Sequence, residues 1–146
     1  MRRLLAPICL FAALGGCQQA KEITISDGWL RLAAAPGRPA AAYFTLHGGA
    51  TDATLLSVTS PVAIRTELHE SMKQGAAMTM RPLQQVALPA GQTVTFAPGG
   101  KHLMVFDVNP VVKPGGGAQL EFTFADGLRL QYTVKAVGAG DPPPKF

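Results

Sequence analysis

The last third of the chain alternates apolar and polar side chains with period two. Leu120, Phe122 and Phe124 alternate with Gln119, Glu121 and Thr123; after Ala125-Asp126-Gly127, Leu128, Leu130, Tyr132 and Val134 alternate with Arg129, Gln131, Thr133 and Lys135. This is the period of a half-buried strand. A three-residue loop sets Phe124 against Leu128 and Phe122 against Leu130, keeping the apolar side chains on one face. A two-residue loop would set Phe124 opposite Arg129. The pattern therefore predicts a three-residue hairpin with Gly127 in the left-handed conformation.

Further strands are predicted over roughly Trp29–Leu32, Ala41–Leu46, Thr54–Val58, Ile64–His69, Met78–Val86, Thr93–Phe96 and His102–Phe106. They are separated by Gly48-Gly49, Pro89-Ala90-Gly91, Pro98-Gly99-Gly100 and Pro114-Gly115-Gly116-Gly117. No stretch carries a helical period and there is no internal repeat. Many short strands at this spacing predict an all-β fold, an antiparallel Greek-key β-sandwich or barrel. The tail from Gly138 to Phe146, with three consecutive prolines, is expected to be disordered.

The N-terminus follows a different pattern. Arg2 and Arg3 precede an apolar run, Leu4 to Leu14, and then Gly15, Gly16 and Cys17. This is the layout of a secretory signal, and the run is too short to span a bilayer. Leu14-Gly15-Gly16-Cys17 resembles a bacterial lipobox, so residues 1–16 are expected to be removed and Cys17 lipidated. Gln18, which is not an aspartate, points to the outer membrane side of the periplasm by analogy with lipoprotein sorting. Residues 17–25 then form a tether, 26–137 the domain and 138–146 the tail. Cleavage leaves 146 − 16 = 130 residues, enough for one core. Loss of two arginines lowers the formal charge from +4 to about +2. That balance, with scattered basic residues, gives no reason to expect nucleic-acid binding. The only cysteines are Cys9 and Cys17. The mature fold is thus expected to have no disulfide and no thiolate ligand.

The candidate chemistry lies in His69, Met72, Met78, Met80, His102 and Met104, with His47 apart. On a strand, His102 and Met104 project to one face while Leu103 projects to the other. Residues 71–77 (Ser-Met-Lys-Gln-Gly-Ala-Ala) read as a hairpin loop, and a hairpin symmetric about it would set His69 opposite Met80. Taken singly, Met78 and Met80 each read as a core residue of a strand. Together, two imidazoles and two thioethers form a donor set suited to a soft ion, above all Cu(I), whereas zinc gains little from methionine. Thioethers also survive an oxidising compartment. A blue-copper electron-transfer centre would need a thiolate, and a filled four-ligand site leaves no position for a substrate, so no enzyme activity is expected. Glu70 and Asp107 are candidates to orient an imidazole, or are simply solvated. His47 reads as a loop histidine and Trp29 as support for the core.

At this point the chain resembles the PCuAC family of periplasmic copper chaperones. That family's pattern is a histidine, ten residues, a methionine, twenty-one residues and then His-x-Met; His69, Met80, His102 and Met104 stand at that spacing. Met78 lies two residues before Met80, as in the Met-x-Met often seen in that family, and is at most a spare. Gly28-Trp29-Leu30-Arg31, Ala40-Ala41-Ala42-Tyr43-Phe44, Glu67-Leu68-His69-Glu70, Met80-Arg81-Pro82, Leu88-Pro89-Ala90-Gly91 and Pro98-Gly99-Gly100 follow in family order, over about residues 26 to 136. The resemblance implies a cupredoxin-like sandwich that carries Cu(I) on those four residues. It also implies delivery to the copper-accepting subunit of cytochrome c oxidase, alongside Sco-type thiol proteins. The tail lacks the His- and Met-rich extension of some members, and the lipid anchor departs from the soluble form common there. A copper-sequestering or tolerance lipoprotein, or a metal-free adhesion or assembly module, are the competing readings.

Overall fold

The computed structural model describes residues 21–146. The predicted signal and Cys17 lie outside the described residues. Ten strands follow: β1 (Thr24–Arg31), β2 (Ala40–His47), β3 (Ala53–Thr59), β4 (Ala63–Gln74), β5 (Ala77–Pro82), β6 (Val86–Leu88), β7 (Thr93–Phe96), β8 (Lys101–Val108), β9 (Gly117–Phe124) and β10 (Arg129–Val137). They form one sheet in the order β5-β4-β8-β2-β1-β10-β9-β3-β6, with β7 paired to β2. The sheet folds over on itself, so that Phe44 on β2 meets Phe122 on β9 edge-on at 4.8 Å and stacks on Phe96 at 4.4 Å. The result is the all-β sandwich that the alternation predicts. It is mixed rather than wholly antiparallel, because β10 returns beside β1 in the same direction and pairs with it in parallel.

The predicted C-terminal hairpin is present. Leu130 pairs with Phe122 and Arg129 with Thr123, the Phe124 amide donates to the Leu128 carbonyl at 2.9 Å, and Gly127 has φ 88°. Leu120, Phe122, Phe124 and Val134 are fully buried. Each such side chain contributes roughly 1.5–3 kcal/mol relative to exposure.

Two expectations about the middle of the chain are corrected. Met78–Val86 is not one strand. Pro82, which has no amide to donate, ends β5 at the sheet edge; the Leu83 amide donates back to the Leu68 carbonyl at 2.8 Å, and the chain crosses to pair β6 with β3. Residues 71–77 are not a loop either. β4 and β5 run to Gln74 and Ala77, joined by Gly75-Ala76 alone, and only Gly75 of the pair has positive φ, 61°. Glycine at the first central position is the type II′ arrangement favoured by two-residue hairpins.

A bulge in β1 decides what lies beside the site. Ser26 pairs with Thr45 but Trp29 pairs with Tyr43, which leaves one extra residue at Asp27-Gly28, where Asp27 has φ 53°. The extra residue reverses the alternation. Ile25 packs on the main core before the bulge and Leu30 after it, and Trp29 is sent to the opposite face. There Trp29 is buried with Tyr43, Val137 and Ala41 in a separate small cluster, 4.5 Å from the Tyr43 ring and capped by Arg31 at 5.0 Å. Trp29 therefore supports this outer cluster rather than the central core. After β10, Asp141 accepts from the Gly138 amide at 2.7 Å, and its carbonyl accepts from Arg31 at 3.3 Å.

Candidate metal site

The β4–β8 ladder assembles the candidate residues. His69 stands directly opposite His102, Glu67 opposite Met104, and Leu68 opposite Leu103. Directly opposite residues share a face. Leu68, Leu103 and Val105 enter the core, while Glu67, His69, His102 and Met104 share the other side. His102 is the one polar residue that is buried among the described residues, at 5% exposure. The two imidazole centroids are 6.0 Å apart.

Hydrogen bonding divides the nitrogens of both rings. His102 Nδ1 lies 3.0 Å from the Gly100 carbonyl, a contact that requires Nδ1 to carry the proton and leaves the Nε2 lone pair free. His69 Nε2 lies 2.9 Å from a Glu67 carboxylate oxygen. A carboxylate is an acceptor, so Nε2 donates and the neutral ring keeps its lone pair on Nδ1. That Nδ1 is buried and has no hydrogen-bond partner among the described residues. A buried unpaired polar nitrogen costs about 1–3 kcal/mol; a metal at that atom would supply the missing partner. Imidazoles held by a carboxylate or a carbonyl through the second nitrogen are the usual arrangement in metal sites.

Glu67 is the orienting residue that the sequence reading missed. Its signal was its position, two residues before His69 on the same strand face. Glu70 and Asp107, named as candidates, take no part. Glu70 accepts from Lys101 at 2.9 Å and Arg81 at 2.7 Å, and these hydrogen bonds, that of Lys101 first, hold its carboxyl below the ordinary range. Asp107 is exposed beyond Phe106 with φ 53°. His47 is engaged elsewhere, with Ser26 Oγ at 2.8 Å from Nε2.

The predicted pairing of His69 with Met80 is corrected. Pro82 is opposite His69, Met80 is opposite Ser71, and Met78 is opposite Lys73. The real turn is centred one residue later than a pairing of His69 with Met80 requires, and moving the centre by one moves every pair by two. The face is thereby preserved. Met80 is a diagonal neighbour of His69, with backbones about 7–8 Å apart, and Met78 lies about 6.8 Å further along the strand. Met80 and Met104 flank the histidine pair on opposite sides. Met80 is 61% exposed, and its side chain must turn back over His69 to reach an ion held by the other three.

Among the described residues no three His, Cys, Asp or Glu side chains are placed to hold a metal. The thioethers of Met104 and Met80 share the face of the two imidazoles, and thioether sulfur suits a soft ion rather than the usual zinc set. A cleft of about 850 Å³ opens at the other end of β4 and β8, around Ala63, Ile64, Asp107 and Val108, and contains neither histidine nor methionine. The imidazole pair instead lies on the face of the β4–β8 ladder opposite the core, largely covered.

Known proteins share this architecture. The copper-bound PCuAC domain from PmoF2 superposes with a TM-score of 0.67 at 21% identity, over 82% of this chain and 95% of that one. The solution structure of apo-DR1885 from Deinococcus radiodurans gives a TM-score of 0.62 at 21% identity, over 97% of both chains. These likenesses establish the cupredoxin-like fold. In sequence, the chain is 31% identical over 111 residues to "Putative lipoprotein Lxx21020" of Leifsonia xyli subsp. xyli, spanning 75% of this chain and 66% of that protein's length. The sequence model described as "Putative lipoprotein LpqE-like" matches residues 23–136. The chain belongs to the LpqE-like lipoprotein family.

Proposed function

We propose that this protein is an extracytoplasmic copper carrier that binds Cu(I) through His69, Met80, His102 and Met104 and passes it on. The observation that carries the reading is the cross-strand pair of imidazoles, each oriented through one nitrogen, with a buried, unpartnered Nδ1 on His69. The copper-bound state of a structural neighbour supports it. Met104, beside His102 on the same face, and Met80, on the adjacent strand, supply soft donors that favour Cu(I). The ion is cargo, and with all four donors engaged it offers no open position for a substrate, so the protein acts by binding rather than catalysis. Recipients of matching chemistry are the copper-accepting subunit of cytochrome c oxidase and Sco-type thiol proteins, as the PCuAC resemblance implies. Membership in a lipoprotein family supports attachment through Cys17; placement in the periplasm at the outer membrane rests on Gln18, by analogy with lipoprotein sorting.

The test is a Cu(I) titration against a competing chelator. The wild-type chain should take up one equivalent, and His102→Ala should bind far more weakly. Equal affinity in the two would sink the proposed ligand set. Cys17→Ser should release the protein from membranes or block its processing; membrane fractionation identical to wild type would remove the anchor.

A further inference from the structure

The proposed ligand set leaves Met78 without a role, yet the hairpin displays it beside Met80. Along β4 the residues His69, Ser71 and Lys73 share the site face, and Pro82, Met80 and Met78 stand opposite them in that order. Met80 and Met78 are 61% and 59% exposed, on an edge strand whose every residue is exposed. A methionine gains its stabilising value from burial. Packing therefore does not account for two neighbouring thioethers held out to solvent on one face. Met72 lies on the same hairpin, opposite Thr79 and so on the other face.

We propose that Met78 is an exchange ligand: with Met80 it forms a two-thioether station through which Cu(I) passes between the resting site and a partner presenting a soft donor. The inference rests on the copper-carrier reading above. The two backbones are about 6.8 Å apart, and flexible side chains let both sulfurs meet one ion. In the step, a bond from the Met78 sulfur to Cu(I) forms as a bond from one resting ligand breaks. The ion stays Cu(I), and because a thioether is neutral both free and bound, no proton or electron moves. A ligand used only in transit lowers the barrier in both directions, so it governs rates much more than affinity.

The experiment is stopped-flow transfer of Cu(I) from the loaded full chain to bathocuproine disulfonate, and loading of the apo chain from the Cu(I)–chelator complex. Met78→Ala should slow both directions severalfold by the same factor, with Kd moving far less. Met78→Leu, which keeps the apolar bulk but not the sulfur, should slow them equally. Met72→Ala should match wild type. Wild-type rates in Met78→Ala or Met78→Leu would overturn the proposal, as would equal slowing in Met72→Ala. A loss of affinity in Met78→Ala as large as in Met80→Ala would instead put Met78 in the resting set. Failure of the wild type to load Cu(I) at all would defeat the carrier reading itself, a result distinct from each of these.

Discussion

Side-chain roles in this protein are set by position on a ladder as much as by residue type. Three acids lie close to the imidazole pair along the chain, and only Glu67 shares the face on which the His69 ring turns; Glu70 is committed to Lys101 and Arg81. Glu67 also stands opposite Met104, so one residue borders both kinds of donor. Its expected effect follows from what it fixes. Glu67→Ala leaves His69 free to rotate or to change tautomer, and Cu(I) affinity should fall about 10- to 100-fold, the usual range for losing a residue that orients a metal ligand. Chelator competition measures the loss, and the nitrogen chemical shifts of His69 report the tautomer. Glu67→Gln retains a carbonyl acceptor and should recover most of the affinity. Unchanged affinity and tautomer in the alanine variant would show that Glu67 is a surface acid and no more. Met104→Ala removes a proposed donor while Leu103 and Val105 keep their places in the core; Cu(I) affinity should drop and relative preference for zinc rise, with the fold retained.

At the scale of the element, the sequence was most legible where burial acts on every second residue. Phe122, Phe124 and Val134 admit one register, and the three-residue turn with Gly127 was readable from them. The β4–β5 hairpin was harder because every residue of β5 is exposed. With no apolar face to anchor it, Ser71 to Ala77 looked like a loop, and only the backbone shows Gly75-Ala76 as the whole turn. The His-Met face survived that error because a two-residue slip preserves parity; the pairing did not. The bulge at Asp27-Gly28 was equally invisible, since nothing in Ser26-Asp27-Gly28-Trp29 states that Trp29 changes sides. Glu67 was present in the sequence but unranked until the strand was known to be straight between it and His69. The two hairpins should therefore respond differently to the same change. Placing a β-branched residue at a left-handed glycine costs on the order of 1–2 kcal/mol. Gly127→Val strains strands that carry the core and should lower the global unfolding free energy by about that amount. Gly75→Val strains a strand paired only to β4. It should leave the denaturation midpoint nearly unchanged while speeding hydrogen exchange of the β5 amides and weakening copper retention through Met80. Equal global losses in the two variants would show that β5 is part of the cooperative unit.

For the molecule as a whole, the decisive relation is that the core and the proposed copper ligands occupy opposite faces of the same strands. Leu103 and Val105 belong to the core while His102 and Met104 belong to the site, alternating along β8. The aromatic stack of Phe44, Phe96 and Phe122 lies on the core side and owes nothing to the donors. Folding should thus precede and not require copper, unlike a zinc finger, whose few residues cannot form a core without the ion. Glu67 and Gly100 hold the imidazoles through their second nitrogens, so binding at the proposed site would order little beyond Met80. On the proposed carrier reading, copper binds the folded chain alone and should still stabilise it, by about 2.7 kcal/mol at a free concentration 100 times Kd. For a domain of this size that corresponds to a rise in Tm on the order of 10 °C. Circular dichroism should therefore show a sheet spectrum and a cooperative melt for the apo chain under chelation, with the melt moving upward as Cu(I) is added. His102→Ala should melt cooperatively too, yet lose most of the copper-dependent rise. An apo chain that lacks the sheet spectrum, or a rise of equal size in His102→Ala, would mean that core and site are not separated across the sheet as their alternation along β8 requires.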